Sequence, residues 1–210
     1  MKRAVALAAV FLFAICIFID IIIFRGDKMK SRKTMPEGYK KSMTIDLLND
    51  KKPMLTVCVI NLVLLILTFS LGFLFSSFKF NFWLILSVPL IYIYMLLHEF
   101  VHGIFMYSFS NVKPSYGFNL AYAYAGSTAY FSKVHYIIIA LSPIVIWGIV
   151  LAVICYFTVD TKFFWMFYLV ECVNISGAAG DIYVTFLFSK LPKNILVNDT
   201  GIKMTVYTKE

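Results

Sequence analysis

The chain has 210 residues, 61% of them hydrophobic and only 14% charged, with a mean hydropathy of +0.84. Soluble domains are nearer half apolar and a quarter charged, so this composition excludes an ordinary soluble domain. The net charge of +8 does not read as a nucleic-acid footprint, because the basic residues cluster in loops that flank apolar runs, the positive-inside pattern of membrane proteins.

The apolar residues fall into runs of about 20 or more, the length that crosses a bilayer. The first, in MKRAVALAAVFLFAICIFIDIIIF, starts with charge as a signal peptide does. It is too long for a signal core and lacks a small-residue cleavage site, so a retained span is expected over 4–24. A polar loop over 25–53 carries nine Lys and Arg residues. Further spans are expected over 54–78, 82–107, 134–159 and 163–189, followed by a polar tail over 190–210. The fold class is therefore an all-α membrane protein, a polytopic bundle of about five helices forming a single membrane domain over 1–210. Cys16, Cys58, Cys155 and Cys172 all lie inside apolar runs and read as small hydrophobes.

Five crossings put four Lys and Arg residues on one side and fifteen on the other. The positive-inside rule then places the 25–53 loop, the 108–133 segment and the C-terminus in the cytoplasm of a multi-pass cell-membrane protein. Within 108–133, GFNLAYAYAGSTAYFSK alternates, with Phe118, Leu120, Tyr122 and Tyr124 on one side and Asn119, Ala121, Ala123 and Ala125 on the other. Followed by Gly126-Ser127 as a turn, this pattern fits a short β-hairpin near 116–131. An interfacial tyrosine belt fits it equally.

The third span contains YMLLHEFVHGIFMY, in which His98, Glu99 and His102 form H-E-x-x-H. Spacing i, i+4 puts both imidazoles on one helix face, where they can share a metal, and Glu99 beside them can take a proton from an activated water. Ionisable groups inside a span cost free energy and mark function, the alternative being a hydrogen-bonded polar cluster that locks helices together. Catalytic zinc takes three protein ligands. His98 and His102 lie 16 and 20 residues beyond Phe82, and Asp181 lies 18 beyond Phe163 in a span running the same way. At about 1.5 Å per residue the three share one depth, so Asp181 is the expected third ligand, ahead of Glu171 and His135. Asn174, two turns before Asp181, offers an amide for a substrate backbone or a developing oxyanion. The small run Gly177-Ala178-Ala179-Gly180 is expected to allow close packing against the third span.

Taken together, His98-Glu99-x-x-His102 and Asn174-x-x-Gly177-x-x-x-Asp181 resemble the two-part signature of site-2 protease-type intramembrane zinc metalloproteases. More closely, the stretch from about 90 to 185 resembles the domain-of-unknown-function family described as putative zincin peptidases. That family shares the aromatic segment after the zinc motif and a span like YIIIALSPIVI. The resemblance implies a membrane-embedded zinc metallopeptidase with His98, His102 and Asp181 as Zn²⁺ ligands and Glu99 as catalytic base. It also implies that Asn174 positions substrate and that the 116–131 hairpin holds an extended substrate by strand addition. Gly177 departs from the proline usual in the second part. The expected partners are the lipid bilayer and a membrane-associated protein or peptide substrate, with no nucleic acid. The alternative function is a non-catalytic membrane protein with a structural, sensing or transport metal site. Such a site has no need of a base beside the first histidine.

Overall fold

The computed structural model describes residues 31–47, 49–118 and 122–209. The predicted span over 4–24 lies outside the described residues. Three helices follow the expected apolar runs and are long and apolar enough to cross a membrane. They are α1 (Lys51–Gly72), α2 (Ser87–Ser110, entered through a 3₁₀ turn at Phe82–Leu86) and α3 (Lys133–Thr158). α1 is apolar all round, and Leu55, Leu62, Ile66 and Leu67 remain exposed on it, as suits a helix facing lipid. α2 ends where Asn111 takes a left-handed conformation and its N–H bonds the Tyr107 carbonyl at 2.7 Å. α3 starts where the Ser132 side chain caps the His135 N–H.

The predicted fifth span is not one helix. It runs as α4 (Phe164–Gly177) and α5 (Ala179–Ser189), which part at Ala178. A broken helix needs other partners for its freed backbone groups. Asn61 on α1 supplies one, donating from Nδ2 to the Ser176 carbonyl at 2.9 Å. The interruption therefore occurs without the proline that the resemblance led one to expect.

The polar segments are not plain loops. β1 (Tyr39–Ile45), β4 (Tyr130–Ser132), β5 (Ile195–Asp199) and β6 (Met204–Lys209) form an antiparallel sheet of order β1-β6-β5-β4. Tyr39 pairs with Lys209, Ile195 with Thr208 and Tyr130 with Asn198. The 25–53 loop, the segment after α2 and the C-terminal tail are thus joined at one end of the bundle. Phe131, Ile195, Val197 and Val206 bury the inner face of this sheet against Ile139 and Phe188.

The hairpin near 116–131 is present in a shifted form. β2 (Ser115–Phe118) pairs with β3 (Ala123–Gly126), Ser115 opposite Gly126 and Phe118 opposite Ala123. Gly126 is therefore a strand residue paired with Ser115, and the Gly126-Ser127 turn expected from the sequence is corrected. Gly126 lies under the β5–β6 turn, where an added Cβ would collide with the Thr200 backbone. Ser127 N–H donates to the Asp199 carbonyl at 2.7 Å, so the chain here runs on toward β4.

Candidate metal centre

Tyr94, His98 and His102 follow one another at i, i+4 on the buried face of α2. Asp181 stands in the first turn of α5, where the helix dipole favours a carboxylate. The interruption at Ala178 gives Asp181 this place. His98 Nε2 lies 3.3 Å from Asp181 Oδ2, and His102 Nε2 lies 3.5 Å from Asp181 Oδ1. His98, Glu99 and His102 also form a group whose ligating atoms all lie within 4.8 Å of one another.

The distal nitrogens fix the tautomers. His102 Nδ1 lies 2.8 Å from the Ile139 carbonyl, which can only accept, so Nδ1 carries a proton and in the neutral ring Nε2 is bare. That carbonyl is free because Pro143, four residues on within α3, has no N–H to give it. Ser142 Oγ donates to the same oxygen at 2.9 Å. His98 is fixed through a longer chain. Asn174 Nδ2 donates to Glu171 Oε2 at 3.0 Å and to the Ile144 carbonyl at 3.4 Å, which orients the amide. Asn174 Oδ1 then accepts the Tyr94 hydroxyl proton at 2.8 Å. With its one proton used, the Tyr94 oxygen accepts from His98 Nδ1 at 2.8 Å, and His98 Nε2 is bare as well.

With both rings neutral, two bare imidazole nitrogens face the oxygens of one carboxylate, acceptors against acceptors. A proton on a ring makes these contacts ion pairs, and a metal cation held by all three groups satisfies them equally. Two His nitrogens and one Asp oxygen form a donor set for zinc that leaves a fourth position open. The residues present fit the metal.

The centre opens on a cavity of about 510 Å³, within the range of ligand sites. His98, Glu99, His102 and Asp181 line it from the helices, and Tyr124, Ala125, Asp199 and Ile202 from the strands. The backbone of Ala125 on β3 faces the Glu99 carboxylate. β2 reaches α2 closely because Gly103 has no side chain, since a Cβ there would collide with the Tyr116 hydroxyl. Gly177 and Gly180 also line the cavity, and each leaves room where a Cβ would stand. Their small size opens this space, while Ala178 and Ala179 between them are fully buried.

Asn174 is fully buried and does not line the cavity, its polar atoms being taken by Tyr94, Glu171 and Ile144. Glu171 bonds Asn174, away from the histidine pair. His135 stacks on Phe109 and bonds Ser31, also away from it. Two residues of the site went unread in the sequence. Tyr94 carried a signal, its i, i+4 spacing to His98. Asp199 carried none, since only the β5–β6 hairpin brings it here. Tyr136 and the Gly201 N–H donate to Asp199. Burial pushes its carboxyl above the usual carboxylate range, and those two bonds partly offset this.

No curated protein and no solved structure matches the chain. A family model described as putative zincin peptidase matches residues 91–196, from within α2 to the start of β5. This match holds half of the chain, including His98, Glu99, His102 and Asp181, and the chain belongs to that family of zincin-type peptidases.

Proposed function

We propose that this protein is a membrane-embedded zinc metallopeptidase that hydrolyses peptide bonds of membrane or membrane-proximal proteins. One observation carries the reading: the bare Nε2 atoms of His98 and His102 converge on Asp181 beside Glu99, at the wall of one cavity. Family membership supports it. In this reading the chemistry is of the site-2 protease type. When bound, zinc supplies a Lewis acid that polarises a carbonyl and makes water a nucleophile near neutral pH.

His98, His102 and Asp181 are the ligands in this reading. Glu99 accepts the proton of the attacking water and passes it to the leaving amine. Asn174 acts at one remove, because its amide is buried behind Tyr94. With the five crossings expected from the sequence, the α4–α5 pair among them, the sheet of β1, β4, β5 and β6 lies on the cytoplasmic side. Fifteen of the nineteen Lys and Arg residues lie in the segments on that side of these crossings, which supports the orientation. The β2–β3 hairpin holds an extended peptide beside Glu99.

The test is Glu99→Gln, assayed in detergent against a fluorescence-quenched peptide library alongside elemental analysis. The variant is expected to keep its zinc and lose cleavage. Cleavage at the parental rate by Glu99→Gln, or a parent without stoichiometric zinc, overturns the reading.

A further inference from the structure

We propose that Tyr94 is a positioning residue for His98, and that Asn174 and Glu171 act through it to hold the imidazole in the tautomer a metal requires. The inference rests on the zinc reading above. Tyr94, Asn174 and Glu171 are all buried within helices α2 and α4. Polar and ionisable groups in a membrane interior cost free energy, and three of them in one bonded row demand a shared use. A substrate contact is not that use for two of them, because of the three only Tyr94 reaches the cavity wall.

The row has a direction. The Ile144 carbonyl and Glu171 Oε2 accept from Asn174 Nδ2, which turns Asn174 Oδ1 toward Tyr94. Tyr94 must then donate to Asn174 and accept from His98 Nδ1. Break any bond and the hydroxyl is free to turn, donate to Nδ1 and put the imidazole proton on Nε2, the atom facing Asp181. Outer partners of a metal-binding His characteristically set its tautomer and ring orientation in this way. The row also ties α2, which carries both histidines, to α4, whose continuation carries Asp181. His102 has no such row, since a backbone carbonyl serves it directly.

The experiment compares the purified full chain in detergent with Tyr94→Phe, reading zinc affinity by chelator competition and the absorption spectrum of the Co²⁺-loaded protein. Tyr94→Phe is expected to bind zinc about 10–100-fold more weakly and to alter the cobalt spectrum. Glu171→Gln keeps an acceptor for Asn174 and is expected to match the parent, whereas Glu171→Leu weakens binding. Tyr168→Phe is the control, because it removes another buried hydroxyl, one that donates to the Thr68 carbonyl, and is expected to leave zinc binding unchanged. Parental affinity and spectrum in Tyr94→Phe overturn the proposal, as does an equal loss in Tyr168→Phe. Where Tyr94→Phe does not fold, Glu171→Leu decides alone, and parental zinc affinity in it overturns the proposal. A parent that binds no zinc overturns the peptidase reading itself. A parent that binds zinc beside an unchanged Tyr94→Phe overturns only the role of Tyr94.

Discussion

The metal centre and the four-stranded sheet face each other across one cavity, yet they are held by different forces. In the centre, His98 and His102 are oriented through their Nδ1 atoms by hydrogen bonds, each with one partner. In the sheet, Phe131, Ile195, Val197 and Val206 are held by apolar burial, which has no direction. Damage to a directional network removes a function and leaves the fold. Damage to an apolar core removes stability first. The two regions should therefore fail separately.

The largest separation is expected from Asp181→Ala. It removes one of the three donors that fit the metal and leaves the two bare nitrogens without the carboxylate they face. Zinc content should fall to near zero by elemental analysis. Cleavage should fall by more than the roughly 100-fold that outer-sphere losses reach. The sheet should survive, with unchanged protease resistance of the C-terminal hairpin. Retention of parental zinc would move the third ligand elsewhere and end the comparison.

Ile195→Ala probes the opposite side. Ile195 is fully buried opposite Thr208, at the end of β5 remote from Asp199. Truncating such a side chain costs about 2–5 kcal/mol. Thermal unfolding in detergent should register that loss while zinc content stays at the parental level. If zinc is lost with the sheet, the cavity wall and the metal centre form one cooperative unit and do not fail separately.

The same contrast explains what was legible in the sequence. His98, Glu99 and His102 are local to one helix, so spacing alone places them together. Asp181 was reached by counting depth along two spans, and the short distances to both histidines agree with that count. The sheet was not legible, because it pairs Tyr39 with Lys209 and its strands are short runs in segments that read as polar loops. The hairpin was legible as an alternating pattern but misplaced in its turn. Gly126 looked like a turn residue and is instead a point of close approach to Thr200, which no local pattern encodes. The interruption at Ala178 was hidden for a related reason. Asn61, more than a hundred positions away, satisfies the Ser176 carbonyl there.

The smallest and most discriminating change is Pro143→Ala, because it sets the two kinds of stabilisation against each other at one atom. Proline inside a helix removes a hydrogen bond and crowds the preceding turn, at a cost of about 3 kcal/mol. Restoring an N–H at position 143 should recover part of that, and the variant should unfold at a higher temperature. The new N–H points at the Ile139 carbonyl, which already accepts from His102 Nδ1 and Ser142 Oγ. A carbonyl has two lone pairs, so three donors cannot all be served. His102 is the donor that reaches from another helix, and it is the one displaced. Zinc affinity should therefore fall by about tenfold, the low end of outer-sphere losses, in a protein that has become more stable. Chelator competition beside thermal unfolding reads both at once. Equal gains in both would show that the proline serves the bend of α3 and that His102 needs no freed carbonyl. Opposite signs would show a span that gives up stability to hold a ligand.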